Sequence, residues 1–394
     1  MSLYRFELKK ILSNKTLIIS IIIFTLINLY KIFSMYSESD LNNKDFVKFN
    51  SCYYSIYEGL KGEITQEKLS AVIDNYSYTQ GVIMEQYDFD ENTSYSGNPY
   101  IDANVFLKIF EDMNYYSCYE ENNNAIVKNA KENLSFYKSI GNAREEKLNK
   151  AIVKTYAGRK INSYYNLEYT EDYIKYDFSS LLVIIIIVLG LAPVFSREKE
   201  TGMNLINQTS QMGGYPLIRA KLLASLTFVF SVALWFCTMD LICFKAFFSV
   251  EGFSMPLYAI KSFEFCSFNK SIGLFVLISF ALKVIFFFII ALITLLLSSK
   301  SKESATTFVL SLIIPALFII ANVFLEKSSL MYSINPANLL TFRQTVDGLN
   351  FINIFGRLIN VAWLSLFFTA SELFALVLLV IRLSGKITPK EKSI

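Results

Sequence analysis

Histidine is absent from the 394 residues. That excludes imidazole general acid/base catalysis, imidazole metal ligation and every Ser/His/Asp or Cys/His arrangement. Charge is scarce as well: Asp, Glu, Lys and Arg make up 18% of the chain, against roughly 25% in an ordinary soluble domain. The 5 cysteines show no two-cysteine knuckle spacing, which argues against a zinc site. No G-x-x-x-x-G-K-[ST] loop occurs either. Ser384-Gly385-Lys386 lacks the upstream glycine, so the chain carries no phosphate cradle and is not expected to hydrolyse ATP alone.

What is abundant is apolar surface, with 53% hydrophobic and 15% aromatic residues. It is concentrated in runs at residues 16–33, 178–195, 222–248, 271–298, 306–325 and 361–381, interrupted by few charges. Each run is long enough to cross a hydrocarbon core about 30 Å thick at about 1.5 Å per helical residue. A soluble enzyme around one core is thereby excluded, and the pattern predicts an all-α integral membrane protein with six transmembrane helices. The first run has the basic start of a signal peptide. Its exit, Ser34-Met35-Tyr36-Ser37, offers no small-x-small cleavage site, so an uncleaved span is expected.

The net charge of +3 divides unevenly. Residues 37–177 hold 23 acidic and 15 basic side chains, and the remainder holds 11 acidic and 22 basic. Alternating spans put Arg5, Lys9, Lys10, Lys15, Arg197, Lys199, Arg219, Lys221, Lys300, Lys302, Arg382, Lys386, Lys390 and Lys392 on one side. Basic flanks stay in the cytoplasm, so both termini are expected there and the block 37–177 outside. The division is then 1–36 for an N-terminal helix and span one, 37–177 for an extracellular domain, and 178–394 for spans two to six. Helical spacing at 66–76, 103–117, 125–140 and 143–157, the last with Leu148, Ile152 and Tyr156 on one face, predicts a mostly helical domain. The Asp, Asn, Ser and Gly of 88–99 predict a loop. The adjacent pairs Tyr53-Tyr54, Tyr115-Tyr116 and Tyr164-Tyr165 read as core, with a binding surface as the alternative. Cys52 and Cys118 share this block and are candidates for a disulfide in an oxidising exterior, with free thiols as the alternative.

The loop 196–221 carries the most information. It opens with Phe195-Ser196-Arg197-Glu198-Lys199-Glu200-Thr201-Gly202, continues through Met203, Leu205 and Ile206, and returns to the membrane at Lys221. This motif resembles the signature loop of type-2 ABC transporter permeases. Residues 3–12, with Tyr4, Leu8, Ile11 and Leu12 on one face, resemble the interfacial elbow helix of that family. Where many relatives have Gly-Arg, this chain has Gly213-Gly214-Tyr215, which moves the basic contact to Arg219 or removes it. The resemblance implies an exporter's permease subunit, forming the path for an amphipathic peptide, lipid or drug. It implies a plasma-membrane protein, read as bacterial, working with a second permease copy or related chain and two copies of a separate ABC ATPase. ATP and Mg²⁺ enter through that partner alone, and no nucleic acid is involved. The resemblance further implies that 202–211 is a coupling helix, with Arg197, Glu198, Glu200, Gly202, Met203, Leu205, Ile206 and Lys221 in the coupling contact.

Ionisable residues inside the spans are the other candidates. Counted from the start of their runs, Lys283 and Glu372 come out about 18 and 16 Å deep. A charge there costs at least about 3 kcal/mol, so the two are expected to pair or to line a wet path. Asp240 and Lys245 read as interfacial. Pro315 is expected to kink span five, and 349–359 to form either a re-entrant hairpin or a surface helix. Two other functions fit less well: an ion-coupled secondary transporter relaying ions through Lys283, Glu372 and Asp240, and a membrane-anchored receptor or immunity protein capturing a ligand. Repeated halves are not detectable, which weighs against the first.

Overall fold

The computed structural model describes residues 2–88, 90, 94–203, 206, 214–354 and 357–385; the basic residues Lys386, Lys390 and Lys392 lie outside them. The described chain is mostly helical, and six of its helical segments are long and apolar enough to cross a membrane. That architecture is a multi-pass membrane protein. The segments are α2 (Lys15–Glu38), a helical segment Glu168–Glu200 made of α7 (Glu168–Lys175), α8 (Phe178–Leu191) and α9 (Pro193–Glu200), then α10 (Tyr215–Phe248), α11 (Ile272–Lys300), α12 (Ser304–Phe324) and α15 (Val361–Gly385). Ahead of them stands the amphipathic α1 (Leu3–Leu12).

Contacts divide the chain into two compact units. The first comprises residues 1–30, 174–243 and 276–394. Its centre is the second apolar segment, whose most hydrophobic window is 72% buried, against 22% for α12 and 17% for α2 and α15. Gly190 explains part of that enclosure: a Cβ there would stand 2.7 Å from the Phe228 ring, so only glycine lets α8 and α10 approach so closely. Pro193 starts α9 where its missing N–H costs nothing. Gly202 follows the end of α9 at φ +71°, a left-handed turn that glycine adopts without strain. The less enclosed helices present Val323, Phe324, Trp363 and Phe367 outward, as lipid-facing surfaces do. Pro315 is accommodated inside α12, which runs unbroken from Ser304 to Phe324.

Of the two expectations for 349–359, the surface helix does not form. The segment is an antiparallel hairpin, β3 (Phe351–Ile354) with β4 (Arg357–Asn360), pairing Ile352 with Ile359 and Asn353 with Leu358. Its pattern alternates, Ile352 buried and Asn353 exposed, and Ile352 packs on Tyr332 and Val361. A period of two, short as it is, won over the apolar count that suggested a helix.

The second unit comprises residues 31–173 and 244–275. It is built on α3 (Val47–Leu60), α4 (Gln66–Ile83), the 41-residue α5 (Pro99–Ser139) and α6 (Ala143–Tyr156). A two-residue ladder, β1 (Gly62–Glu63) with β2 (Ser163–Tyr164), closes it. The stretches 103–117 and 125–140 are one helix, because Tyr116, Tyr119, Asn123, Val127 and Ala130 continue a single buried stripe across the polar Asn122–Asn124 run. Asn123 is tolerated inside because its Nδ2 donates to the Tyr156 carbonyl at 2.6 Å. Tyr53, Tyr57, Tyr116, Tyr119 and Tyr164 are buried, so one member of each adjacent tyrosine pair forms core.

Residues 244–275, which read as the end of a span and a short connection, belong to this same unit. Arg159 fastens them. Buried itself, it donates to the Cys266 carbonyl at 2.6 Å and the Glu264 carbonyl at 3.2 Å, and both Nε and Nη2 reach Asn269 Oδ1. The guanidinium also lies over the Tyr156 and Tyr258 rings at 4.3 and 4.7 Å.

Candidate functional site

The first unit carries two polar layers separated by apolar helix. One gathers at the end where α9 stops and α10 starts. Lys221, fully buried, donates to the Val194 carbonyl at 2.8 Å and meets Glu198 Oε1 at 2.5 Å, with its Nζ 4.7 Å from the Phe195 ring centre. Lys10 of α1 reaches the same Glu198 oxygen at 2.5 Å and lies 3.8 Å from Glu7. Two acids and two lysines thus meet, Lys221 fully buried and Lys10 at the exposed edge, tying α1, α9 and α10 together. Burial pushes the Glu7 carboxyl above its usual range, against the opposing pull of Lys221 and Lys10.

The same end staples α9 to the turn between α11 and α12. Ser298 Oγ accepts from the Phe195 and Ser196 N–H groups at 3.0 Å each and donates to the Ala192 carbonyl at 2.6 Å. Lys199 donates to the carbonyls of Ser299 and Ser301. Glu200 Oε1 accepts from the Ser304 N–H at 2.5 Å, and the Ser196 and Ser304 hydroxyls are 2.9 Å apart. Of the residues singled out in the sequence, Glu198 and Lys221 face inward, whereas Arg197, Met203 and Ile206 are exposed. Gly202 forms the turn after α9. Leu205 and most of the segment 204–213 lie outside the described residues.

The second layer gathers near the start of α8. Asp177 accepts from Lys283 at 3.1 Å through Oδ1 and from Arg343 at 2.5 Å through Oδ2. Beside it in sequence, the Tyr176 hydroxyl donates to Asn28 Oδ1 at 2.8 Å, and Asn28 Nδ2 donates to Asp240 Oδ1 at 2.6 Å. Asp240 also bonds the Ser179 side chain. It is 6% exposed, hence an enclosed, hydrogen-bonded group. Lys245 is exposed. Lys283 and Ser298 are 15 residues apart on α11, about 22 Å, and Lys221 and Asp240 are 19 apart on α10, about 28 Å. These spacings are close to the hydrocarbon thickness of a bilayer.

This geometry corrects the expected Lys283–Glu372 pair. Lys283 pairs instead with Asp177, the residue before α8. Glu372 lies elsewhere. It borders a groove of 530 Å³ lined by Ile289, Ile293, Phe318, Leu325, Met331 and Leu376, among others. Ile289 and Ile293 follow Lys283 by 6 and 10 residues, about 9 and 15 Å further along α11.

The candidate Cys52–Cys118 disulfide is not formed, and both are free thiols. Cys52 Sγ donates to Asp102 Oδ1 at 3.5 Å, and Cys118 Sγ to Asn114 Oδ1 at 3.5 Å. Asp102 and Cys118 are 16 residues apart on one helix, about 24 Å, far beyond the reach of a disulfide. Among the described residues no group of three or more Cys, Asp or Glu stands where it could hold a metal ion.

Sequence reasoning missed Glu7, Asn28, Asp177 and Arg343. Two left a signal: Glu7 is the sole acid of α1 and Asn28 the sole amide in the first apolar run. No protein-family model matches the chain, and neither a curated protein nor a solved structure is significantly similar to it.

Proposed function

We propose that the chain is the permease subunit of an ATP-driven exporter similar to type-2 ABC transporters, moving an amphipathic substrate and powered by a separate ATPase. One observation carries this reading. Glu198, inside the motif that resembles the family's signature loop, braces Lys10 of the amphipathic N-terminal helix and Lys221 at the base of span three. A loop gripped by a motor protein needs a rigid root, and this one is held by buried charge and by the staples to Ser298 and Ser304. A push on 196–221 would therefore be carried directly into α8, α10, α11 and α12. In this reading α1 is the interfacial elbow helix, both termini are cytoplasmic, the block 37–177 is extracellular, and the complex contains two permeases and two ATPases in the plasma membrane. ATP and Mg²⁺ are bound by the ATPases.

The test is purification in mild detergent from the native membrane, with mass spectrometry of what co-elutes. The exposed Arg197, Gly202 and Met203 are altered together as the control, so that the buried brace stays intact. A Walker-loop protein recovered with the parent and lost with the variant supports the proposal. A parent chain that elutes without any such protein overturns it.

A further inference from the structure

Glu372, on α15, lines the 530 Å³ groove formed by α11, α12, α13 (Leu330–Ile334) and α15. That volume falls in the range of roughly 300–1,000 Å³ typical of small-molecule sites. The lining is apolar apart from Glu372 and Asn335. Asn335 is already engaged, its Nδ2 donating to the Phe318 carbonyl at 2.9 Å and its Oδ1 accepting from the Ala337 N–H at 3.1 Å. The nearby cations are committed elsewhere, Lys283 and Arg343 to Asp177 and Lys327 to Asp347. Ile289 and Ile293 place the groove between the two polar layers, within the hydrocarbon zone. A carboxylate there is costly to insert, and intramembrane acids mark binding or relay sites. Charge complementarity selects the occupant: an apolar body to fill the groove and a cation to meet the acid.

We propose that this groove binds a lipophilic cation, with Glu372 as its counter-ion. The inference narrows the amphipathic cargo of the exporter reading to cationic molecules, but it requires only that the chain lie in a bilayer. Binding is therefore measured without nucleotide or ATPase, and either proposal can fail while the other stands.

The test places the purified full-length chain in phosphatidylcholine nanodiscs and measures equilibrium binding of radiolabelled tetraphenylphosphonium. Tetraphenylborate serves as the anion of matched size and shape. The expected result is saturable phosphonium binding that tetraphenylborate does not displace. Glu372→Gln should weaken it at least about tenfold, a modest effect for losing a counter-charge in a low-dielectric site. Glu372→Asp should retain it within a few-fold. Ala375→Trp keeps the acid and fills the groove, since Ala375 lines it; this variant should also lose binding, and it decides the matter should Glu372→Gln fail to fold. Saturable binding unchanged in Glu372→Gln or in Ala375→Trp overturns the proposal, as does equal binding of the borate. Absence of saturable phosphonium binding to the parent overturns it too, and dimers in the same discs would then assign the groove to a second copy of the chain.

Discussion

Lys221 and Glu198 form an ion pair at 2.5 Å in which the lysine has no exposed surface and the acid side chain is 12% exposed. The same carboxylate oxygen also receives Lys10, so one acid holds two lysines from different helices. A charge enclosed in this way survives only through its partners.

Removing one partner is therefore expected to cost more than removing both. Glu198→Gln leaves Lys221, which has no exposed surface, without its carboxylate partner, and a loss of about 3–5 kcal/mol is expected. Lys221→Met combined with Glu198→Gln should recover a large part of it, since no uncompensated charge remains. Thermal unfolding of the four forms in detergent, followed by size-exclusion chromatography, completes the double-mutant cycle. Strictly additive losses would mean that the pair is not coupled.

Much of the architecture was legible because it rests on long-range composition. Each of the six apolar runs falls in a helix able to cross a membrane, and the period of 3.6 in 143–157 reports α6. What stayed hidden depends on which distant side chains meet. Glu198 reads as a surface acid until Lys10 and Lys221 arrive from either side of it in sequence, 188 and 23 residues away. Lys283 and Glu372 look equivalent when depth is counted along their own helices, and only Asp177 and Arg343 set them apart. For 351–360 the sequence left hairpin and helix open, and the β pairing stayed hidden because four-residue strands carry too little periodicity to outweigh an apolar count.

Acid should loosen the loop that leads into α5. Asp102 is buried, and burial alone would raise its carboxyl. The opposing bonds win: Ser94 Oγ at 2.7 Å, the Ser96 N–H at 2.9 Å, the Tyr95 N–H at 3.0 Å and the Cys52 thiol hold it below the ordinary carboxylate range. The folded state then binds this proton less tightly than the unfolded chain does. Its stabilisation is present above the unfolded value of about 3.9 and is lost as the pH falls through the lower folded value. Hydrogen exchange at the Tyr95 and Ser96 amides, corrected for intrinsic rates, should lose protection in that acid window and not above it. In Asp102→Asn the acid-dependent step should vanish; its persistence would point to another group.

The cysteines give a prediction that is independent of acid. Burial, with the Asp102 charge beside it, pushes the Cys52 thiol up to about 12. Cys118 is partly exposed. Maleimide at pH 7.5 should label Cys118 in the folded chain within minutes and reach Cys52 only after denaturant is added, because the thiolate is the nucleophile. Peptide mapping without reductant should find both as thiols. A linked Cys52–Cys118 peptide would contradict the fold of α3 against the start of α5.

The partner of Lys283 is testable by proximity. Asp177→Cys with Lys283→Cys should cross-link readily through a short bis-thiol reagent in a background where the other cysteines are serine, whereas Lys283→Cys with Glu372→Cys should not. Energetically the three-residue cluster is lenient, because each member is about a quarter exposed, at 21–24%. Lys283→Ala leaves Asp177 bonded to Arg343, so a loss under about 1 kcal/mol is expected. Lys283→Ala with Arg343→Ala strips the acid of both cations at the mouth of α8 and should cost more than the two single changes together. Exchanging Lys283 and Asp177 should restore most of what either reversal removes, and exchanging Lys283 with Glu372 should restore nothing. Recovery in the second exchange would return the pairing to mid-membrane and remove the counter-ion role assigned to Glu372.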